Sequence, residues 1–158
     1  MSNSTPANAD AELLGRTGFR LVELGKAALA VADAALAEHG LTGRHLRALT
    51  LAASGVPSQQ GMAERSGIDR TTIVAVLDDL ERLGHVRRRR DPADRRRHLV
   101  EITDDGRAVL RTASRALDRA EKDLFADLSA TERRHLDHAV EQVLRRVRDR
   151  PGLPPADC

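Results

Sequence analysis

Arginine is concentrated in one short stretch of the chain. Between Arg82 and His98 there are eight arginines and two aspartates, so this stretch carries a charge of +6 in a chain of 158 residues whose net charge is only +2. A guanidinium group can form forked hydrogen bonds with phosphate oxygens or with the edge of a guanine base. One cationic stretch in a nearly neutral protein is typical of local docking on a polyanion. The chemistry that these residues predict is recognition of nucleic acid.

The arginines flank a turn. The sequence Asp-Pro-Ala-Asp at positions 91–94 separates the arginines at 87–90 from those at 95–97. Extended stretches over about 85–90 and 97–102 lie on either side, so we predict a β-hairpin with a long, charged tip. A solvated charge run or a nuclear-localisation-like patch is the alternative interpretation, but neither explains why the run brackets a turn with two carboxylates. These carboxylates can hold an arginine extended for insertion into a narrow minor groove.

Two helices joined by a tight turn precede the hairpin. Ser58 is typical of an N-cap, here for a helix over 59–65 that ends at Ser66 and Gly67. Asp69 predicts a second cap, for a helix over 70–83 that Gly84 ends. This is the helix-turn-helix arrangement, in which the second helix can lie in the major groove of DNA.

The second of these helices has a defined outer face. If its apolar stripe of Ile73, Leu77 and Leu80 faces inward, helical spacing turns four other side chains outward, namely Arg70, Thr71, Val74 and Ala75. The arginine and the threonine can hydrogen-bond to bases or phosphates, and the two apolar side chains can meet thymine methyl groups. The alternative is an ordinary amphipathic helix with a polar outer face.

The remaining sequence predicts helices on both sides of this segment. We predict helices over about 11–39 and 42–54, a fifth helix capped by Thr103, and a sixth that opens at Ser129. The fold class is therefore mainly α with a small β-hairpin and six helices. The domain prediction is a winged helix-turn-helix lobe over 42–103, a helical dimerisation region over 11–41 and 104–149, and disordered tails over 1–10 and 150–158.

The outer helices have broad apolar faces that the central lobe cannot easily cover. Pairing with a second copy would cover them, and a twofold dimer is the commonest oligomer. The alternative is a monomer that folds these faces together internally. We expect a homodimer.

Composition argues against several other classes. Phe19 and Phe125 are the only aromatic residues, whereas modules for single-stranded nucleic acid stack bases on aromatic side chains. The single Cys158 allows no internal disulfide, as expected in a reducing cytoplasm. We find no signal peptide and no membrane-spanning run, so we expect a cytoplasmic protein associated with the nucleoid. No catalytic constellation is evident, and His135 and His138 lack a third zinc ligand, so we expect no enzyme, cofactor or metal.

The sequence resembles the MarR (multiple antibiotic resistance regulator) family in four segments. These are QQGMAERSGIDRTT at 59–72, LDDLERLGHV at 77–86, DPADRR at 91–96 and ITDDG at 102–106. The resemblance implies a dimer held by the terminal helices on a pseudo-palindromic operator in duplex DNA, with repression as the default. It implies that Asp94 orients Arg96 for the minor groove, that Ser58 and Gln60 lie near phosphates, and that Arg70 and Thr71 lie in the major groove.

We accordingly predict one set of DNA-binding residues: Ser58, Gln60, Arg70, Thr71, Thr72, Val74, Arg88, Arg90, Asp94, Arg95 and Arg96. Two departures from the family pattern matter. Gly61 occupies a helical position, where it costs about 1 kcal/mol relative to alanine. Ala75 and Asp79 stand where arginine or polar residues are frequent in the family. We therefore expect fewer direct hydrogen bonds to bases and a larger contribution of the hairpin and of DNA shape to recognition.

The resemblance also implies an effector. Family members commonly release DNA when a small phenolic, acidic or drug-like ligand binds between the dimerisation helices and the DNA-binding lobe. We predict that the anion-binding groups of such a pocket are among five residues of the first two helices, namely Arg16, Arg20, His39, His45 and Arg47. The alternative is that these are surface residues or ion pairs of the dimer. Cys158 does not fit the N-terminal cysteine of peroxide-sensing relatives.

Two functions of other classes stay open. One is a nucleoid-type architectural protein that coats DNA without ligand control. The other is an interaction module whose arginines dock an acidic protein partner.

Overall fold

The computed structural model describes residues 14–55, 58–91 and 98–149. These residues form six helices and one two-stranded antiparallel hairpin, which confirms the predicted fold class. In chain order the elements are α1 (Thr17–Ala37), α2 (Gly43–Ala53), α3 (Gln59–Ser66), α4 (Arg70–Arg82), β1 (Val86–Arg90), β2 (His98–Ile102), α5 (Asp104–Leu124) and α6 (Ala130–Arg148). The helices α3 and α4 followed by the hairpin form a winged helix-turn-helix.

The predicted helix caps are confirmed. The side chain of Ser58 accepts a hydrogen bond from the Gly61 N–H at 3.0 Å, and Asp69 Oδ1 accepts one from the Thr72 N–H at 2.9 Å. The caps of α5 and α6 are Thr103 and Ser129. Each cap satisfies backbone donors that the first turn of a helix leaves free, so the polar side chains before each apolar run set where these helices begin.

The prediction of one unbroken helix from residue 11 to 39 is wrong. Leu14 is helical, but the chain then turns, and Arg16 has an extended backbone with φ −71° and ψ 137° before α1 begins at Thr17. Gly15 lowers the helix propensity at this point. The predicted residues 11–13 lie outside the described part of the chain.

One apolar core lies between α2, α3, α4 and the hairpin and also takes in one residue each of α1 and α5. Its members are Leu36, Leu41, Ala48, Leu49, Ala52, Met62, Ile73, Val76, Leu77, Leu80, Val86, Val100 and Ala113. The predicted inward stripe of α4 is confirmed, and Val76 joins it. In the hairpin, Val86 pairs with Ile102 and Arg88 pairs with Val100. Because side chains alternate along a strand, Arg88 shares the inner face with buried Val86.

The start of α5 is joined to the base of the hairpin. The Thr103 N–H donates to the carbonyl oxygen of His85 at 3.0 Å, and its hydroxyl donates to the carbonyl oxygen of Gly84 at 2.7 Å. A Cβ atom on Gly106 would lie 2.0 Å from the same His85 oxygen. This approach admits only glycine, which gives a steric reason for the last residue of the motif at 102–106.

The outer helices leave apolar surface uncovered. α1 packs along α5, whereas no residue of α6 is buried against the described part of the molecule. The large exposed apolar side chains of α1 and α6 are Phe19, Leu21, Val22, Leu29, Val140, Val143, Leu144 and Val147. Within the described residues, no helix combines the length and the apolar character needed to cross a membrane.

Candidate nucleic-acid interface

A polar groove of about 360 Å³ lies where α3, α4 and β2 begin. Three of the predicted DNA-binding residues, Ser58, Gln60 and Arg70, line it together. Sequence reasoning missed another lining residue, His98, because its approach depends on the hairpin folding back onto α3. A bridge between Ser58 and Leu99 makes this contact. The groove therefore combines hydroxyl, amide, guanidinium and imidazole groups on one open surface, together with the carboxylate of Glu64, which accepts from Gln60 Nε2 at 2.9 Å.

The first turns of α4 present the predicted reading face. Arg70, Thr71 and Ala75 are exposed, while Thr72 and Val74 are half-buried. The hydrogen bonds from Thr72 to Asp69 hold the pKa of that carboxyl below its ordinary value. The cap of α4 is therefore ionised at neutral pH, and the helix presents its remaining N-terminal N–H groups together with Arg70.

The arginines of β1 divide between two faces. Arg87 Nε lies 2.9 Å and Arg89 Nη2 lies 3.1 Å from oxygens of Glu101 on β2. Their side chains are 72% and 62% exposed, so their ion pairs with Glu101 face solvent. Arg88 is turned the other way and is only 17% exposed. Arg90 is exposed at the end of the strand.

The predicted tip residues Asp94, Arg95 and Arg96 lie outside the described residues. The pairing of an aspartate with the arginine two positions later stays a prediction.

Two carboxylates of α4, Asp78 and Glu81, were not singled out from the sequence. The guanidinium of Arg88 contacts Asp78 and lies 3.0 Å from Glu81 Oε2. A signal for this was present, since Val86 is apolar at the start of β1 and strand alternation puts Arg88 on the same inner face. An inward arginine requires acidic partners, and α4 supplies them.

His45 is engaged within the protein. Its Nδ1 atom accepts from the Thr42 N–H at 3.1 Å, and its Nε2 atom lies 3.7 Å from Asp79 Oδ2 on α4. The side chain is 12% exposed. Burial lowers the pKa of His45 below its ordinary value, and the Asp79 carboxylate opposes only part of that effect. At neutral pH this imidazole is therefore uncharged.

The other four predicted effector residues are spread from the N-cap of α1 to α2. Arg16, Arg20 and Arg47 are exposed. His39 is half-buried, and its Nε2 atom is buried with no hydrogen-bond partner in the described part of the chain. α1 separates the two ends of this set: at 1.5 Å per residue, its length places Arg20 about 25 Å from the end at Ala37. One protomer does not bring all five together.

The chain is similar in sequence to known transcriptional regulators. The profile of the MarR family matches residues 39–97. An uncharacterised HTH-type transcriptional regulator of Bacillus subtilis is 37% identical over 92 residues, which are 58% of this chain and 54% of that protein, so the chain spans about half of its length. The homoprotocatechuate degradative operon repressor of Escherichia coli is 26% identical over 138 residues, with 84% of this chain and 93% of that protein covered.

Solved structures show the same fold. CouR from Rhodococcus jostii RHA1, bound to p-coumaroyl-CoA, is 31% identical with a TM-score of 0.67, and the match covers 83% of this chain and 93% of CouR. The agreement extends beyond the central lobe to the outer helices.

Proposed function

The chain belongs to the MarR family of transcriptional regulators, and on this premise we propose that it is a repressor. It binds a pseudo-palindromic operator in duplex DNA as a homodimer and is released by a small anionic or aromatic effector. Its place is the cytoplasm, on the nucleoid. The observation that carries the proposal is the polar groove of Ser58, Gln60 and Arg70 beside an arginine-rich hairpin.

The DNA-binding part of the proposal assigns a groove to each element. α4 enters the major groove with Arg70, Thr71 and Thr72 toward base edges and Val74 beside them. Ser58 and Gln60 at the start of α3 hydrogen-bond to phosphates. The hairpin follows the backbone, with Arg90 and Arg95 near phosphates and Arg96 in the minor groove, oriented by Asp94. Support comes from the groove that Ser58, Gln60 and Arg70 line together.

The dimeric part rests on the uncovered helices. The exposed side chains Val140, Val143, Leu144 and Val147 form one stripe along α6. A stripe of this kind is costly in water and is typical of a protein–protein interface. A second copy, with the same stripe, covers it through a twofold contact.

The effector part of the proposal rests on which positively charged side chains are exposed and on how far apart α1 holds them. Arg16, Arg20 and Arg47 are the exposed cations for a carboxylate, and His39 offers a buried ring nitrogen. Because α1 holds the arginines far from His39 within one protomer, the pocket takes Arg16 and Arg20 from the second copy. His45 is occupied by Thr42 and Asp79 and shapes the wall of the pocket.

The first experiment is selection of genomic fragments by the full-length protein, followed by binding measurements on the selected duplex and on random duplex. A regulator prefers the selected duplex by roughly 10³-fold or more. Its affinity falls steeply with salt, because phosphate contacts release counterions. An architectural protein would show little preference, and an interaction module for acidic proteins would bind neither duplex.

The second experiment titrates aromatic and aliphatic carboxylates, and p-coumaroyl-CoA as the ligand of a relative, into the complex with selected duplex. Release by at least one of them is expected, with Arg20→Ala raising the concentration required. Failure of every compound to release the DNA would refute the effector part alone.

A further inference from the structure

Arg88 differs from the other arginines of β1 in how fully its guanidinium is used. Its Nη1 atom donates to Asp78 and, at 3.0 Å, to Glu81 Oε2, and its Nη2 atom donates to the Val74 carbonyl oxygen at 3.3 Å. The Gln59 amide satisfies its neighbours when its oxygen is assigned to the side of Arg88, and in that orientation the oxygen accepts from Nε at 2.8 Å and from Nη2 at 3.2 Å. A guanidinium has five N–H donors, and these five hydrogen bonds use all of them.

The acceptors belong to two helices. Gln59 lies at the start of α3, whereas Val74, Asp78 and Glu81 lie along α4. The backbone N–H of Arg88 also donates to Glu81 Oε1 at 2.9 Å. One side chain of the hairpin therefore ties β1 to both helices of the helix-turn-helix.

We propose that Arg88 is a positioning residue that fixes α4 relative to the hairpin and α3, and that it does not contact DNA. This inference rests on the proposed function. It replaces the expectation from the sequence that Arg88 is itself a DNA-binding residue.

Two physical reasons favour this role. A guanidinium whose donors are all satisfied can bond to a phosphate only by giving up bonds that it already makes, and Asp78 and Glu81 already offset its charge. The fork is also specific to arginine, since lysine has one charged nitrogen that cannot reach acceptors on both helices.

The first test compares lysine and methionine at two positions of the same strand face. Arg88→Lys and Arg88→Met both weaken binding to the selected duplex, by roughly tenfold, the size of one mismatched base pair, and leave the salt dependence unchanged. Arg90 is the matched control, because it is exposed two residues along. Arg90→Lys keeps the charge and therefore the slope of log K against log salt, whereas Arg90→Met makes that slope shallower by about 0.9 for each phosphate that the protein no longer neutralises.

In the second test, the proposal predicts a change in DNA affinity opposite to the one that simple electrostatics predicts. Removing acidic charge from a DNA-facing helix ordinarily strengthens binding to DNA. If Arg88 positions α4, Asp78→Asn combined with Glu81→Gln weakens binding, and the same pair has no such effect in an Arg88→Met background. Asp79→Asn, which removes a charge from the same turn without touching Arg88, is the control and does not weaken binding.

A measurement without DNA separates this proposal from the proposed function. In the free dimer, Arg88→Lys raises amide hydrogen exchange in α4 and β1 while leaving α6 unchanged. If the wild type bound no duplex, the proposed function would fall and the exchange result would still decide the role of Arg88. Wild-type exchange in Arg88→Lys, full binding by Arg88→Lys, or a shallower salt slope in Arg88→Met would each overturn the proposal.

Discussion

Substitution of Gly106 by alanine adds one atom, the Cβ, where the start of α5 contacts the base of the hairpin. The added Cβ would lie 2.0 Å from the carbonyl oxygen of His85, whereas Cβ contacts under 3.0 Å are essentially never seen. The two segments must therefore move apart by at least about 1 Å. That movement stretches the bond from the Thr103 N–H to the same oxygen, now 3.0 Å, and the bond from its hydroxyl to Gly84, now 2.7 Å.

The net effect follows from opposing contributions. Loss of two hydrogen bonds costs about 2 kcal/mol, and overpacking adds about 1 kcal/mol. Alanine in place of glycine within a helix returns about 1 kcal/mol. We expect Gly106→Ala to lower the free energy of unfolding by about 2 kcal/mol, and hence the Tm by about 6 °C in a chain of this size.

The assay is thermal and urea unfolding followed by circular dichroism at fixed protein concentration. Gly43→Ala is the matched control, because Gly43 begins α2 and its added Cβ meets no described atom within 4 Å beyond its chain neighbours and its own helix backbone. Its Tm should stay equal to or slightly above that of the wild type. A Gly106→Ala protein as stable as the wild type would show that the close approach to His85 is wrong.

Three further predictions concern assembly, pH and DNA binding. Val143→Asp places a charge on the 57% exposed centre of the α6 stripe and should convert the proposed dimer to a monomer in sedimentation at micromolar concentration. Because burial lowers the pKa of His45, the unfolded chain takes up a proton more readily, so stability should fall as pH drops below 6.5; His45→Gln should flatten that slope in urea melts at several pH values. Asp94→Ala and Arg96→Ala should each weaken operator binding with the dimer intact, and unchanged affinity in both would refute the minor-groove role.

Local chemistry made much of this fold predictable. Ser58, Asp69 and Thr103 begin helices because a side-chain oxygen reaches an N–H two or three residues ahead, and that reach can be read from the sequence. Gly84, with φ 78°, ends α4 because it tolerates a left-handed backbone. The break before α1 escaped prediction because the apolar spacing continues across Gly15.

The site was less predictable, because its contacts join distant parts of the chain. Strand alternation implied that Arg88 faces inward, but the acceptors on α3 and α4 depend on packing. The approach of His98 to Ser58 and the contact between His45 and Asp79 likewise require the folded lobe. Residue types could indicate which groups bind an anion, whereas only the fold shows which of them are already occupied.

The continuity of α5 has a mechanical consequence. The helix runs unbroken for 21 residues from the base of the hairpin, a length of about 31 Å. It can therefore tilt as a rigid body about its N-terminal end, where Thr103 is hydrogen-bonded to the base of the hairpin. A tilt of about 5° displaces the far end near Leu124 by about 3 Å over that length. Because the near end is hydrogen-bonded to Gly84 and His85, directly before β1, such a tilt also strains the bonds that hold the base of the hairpin.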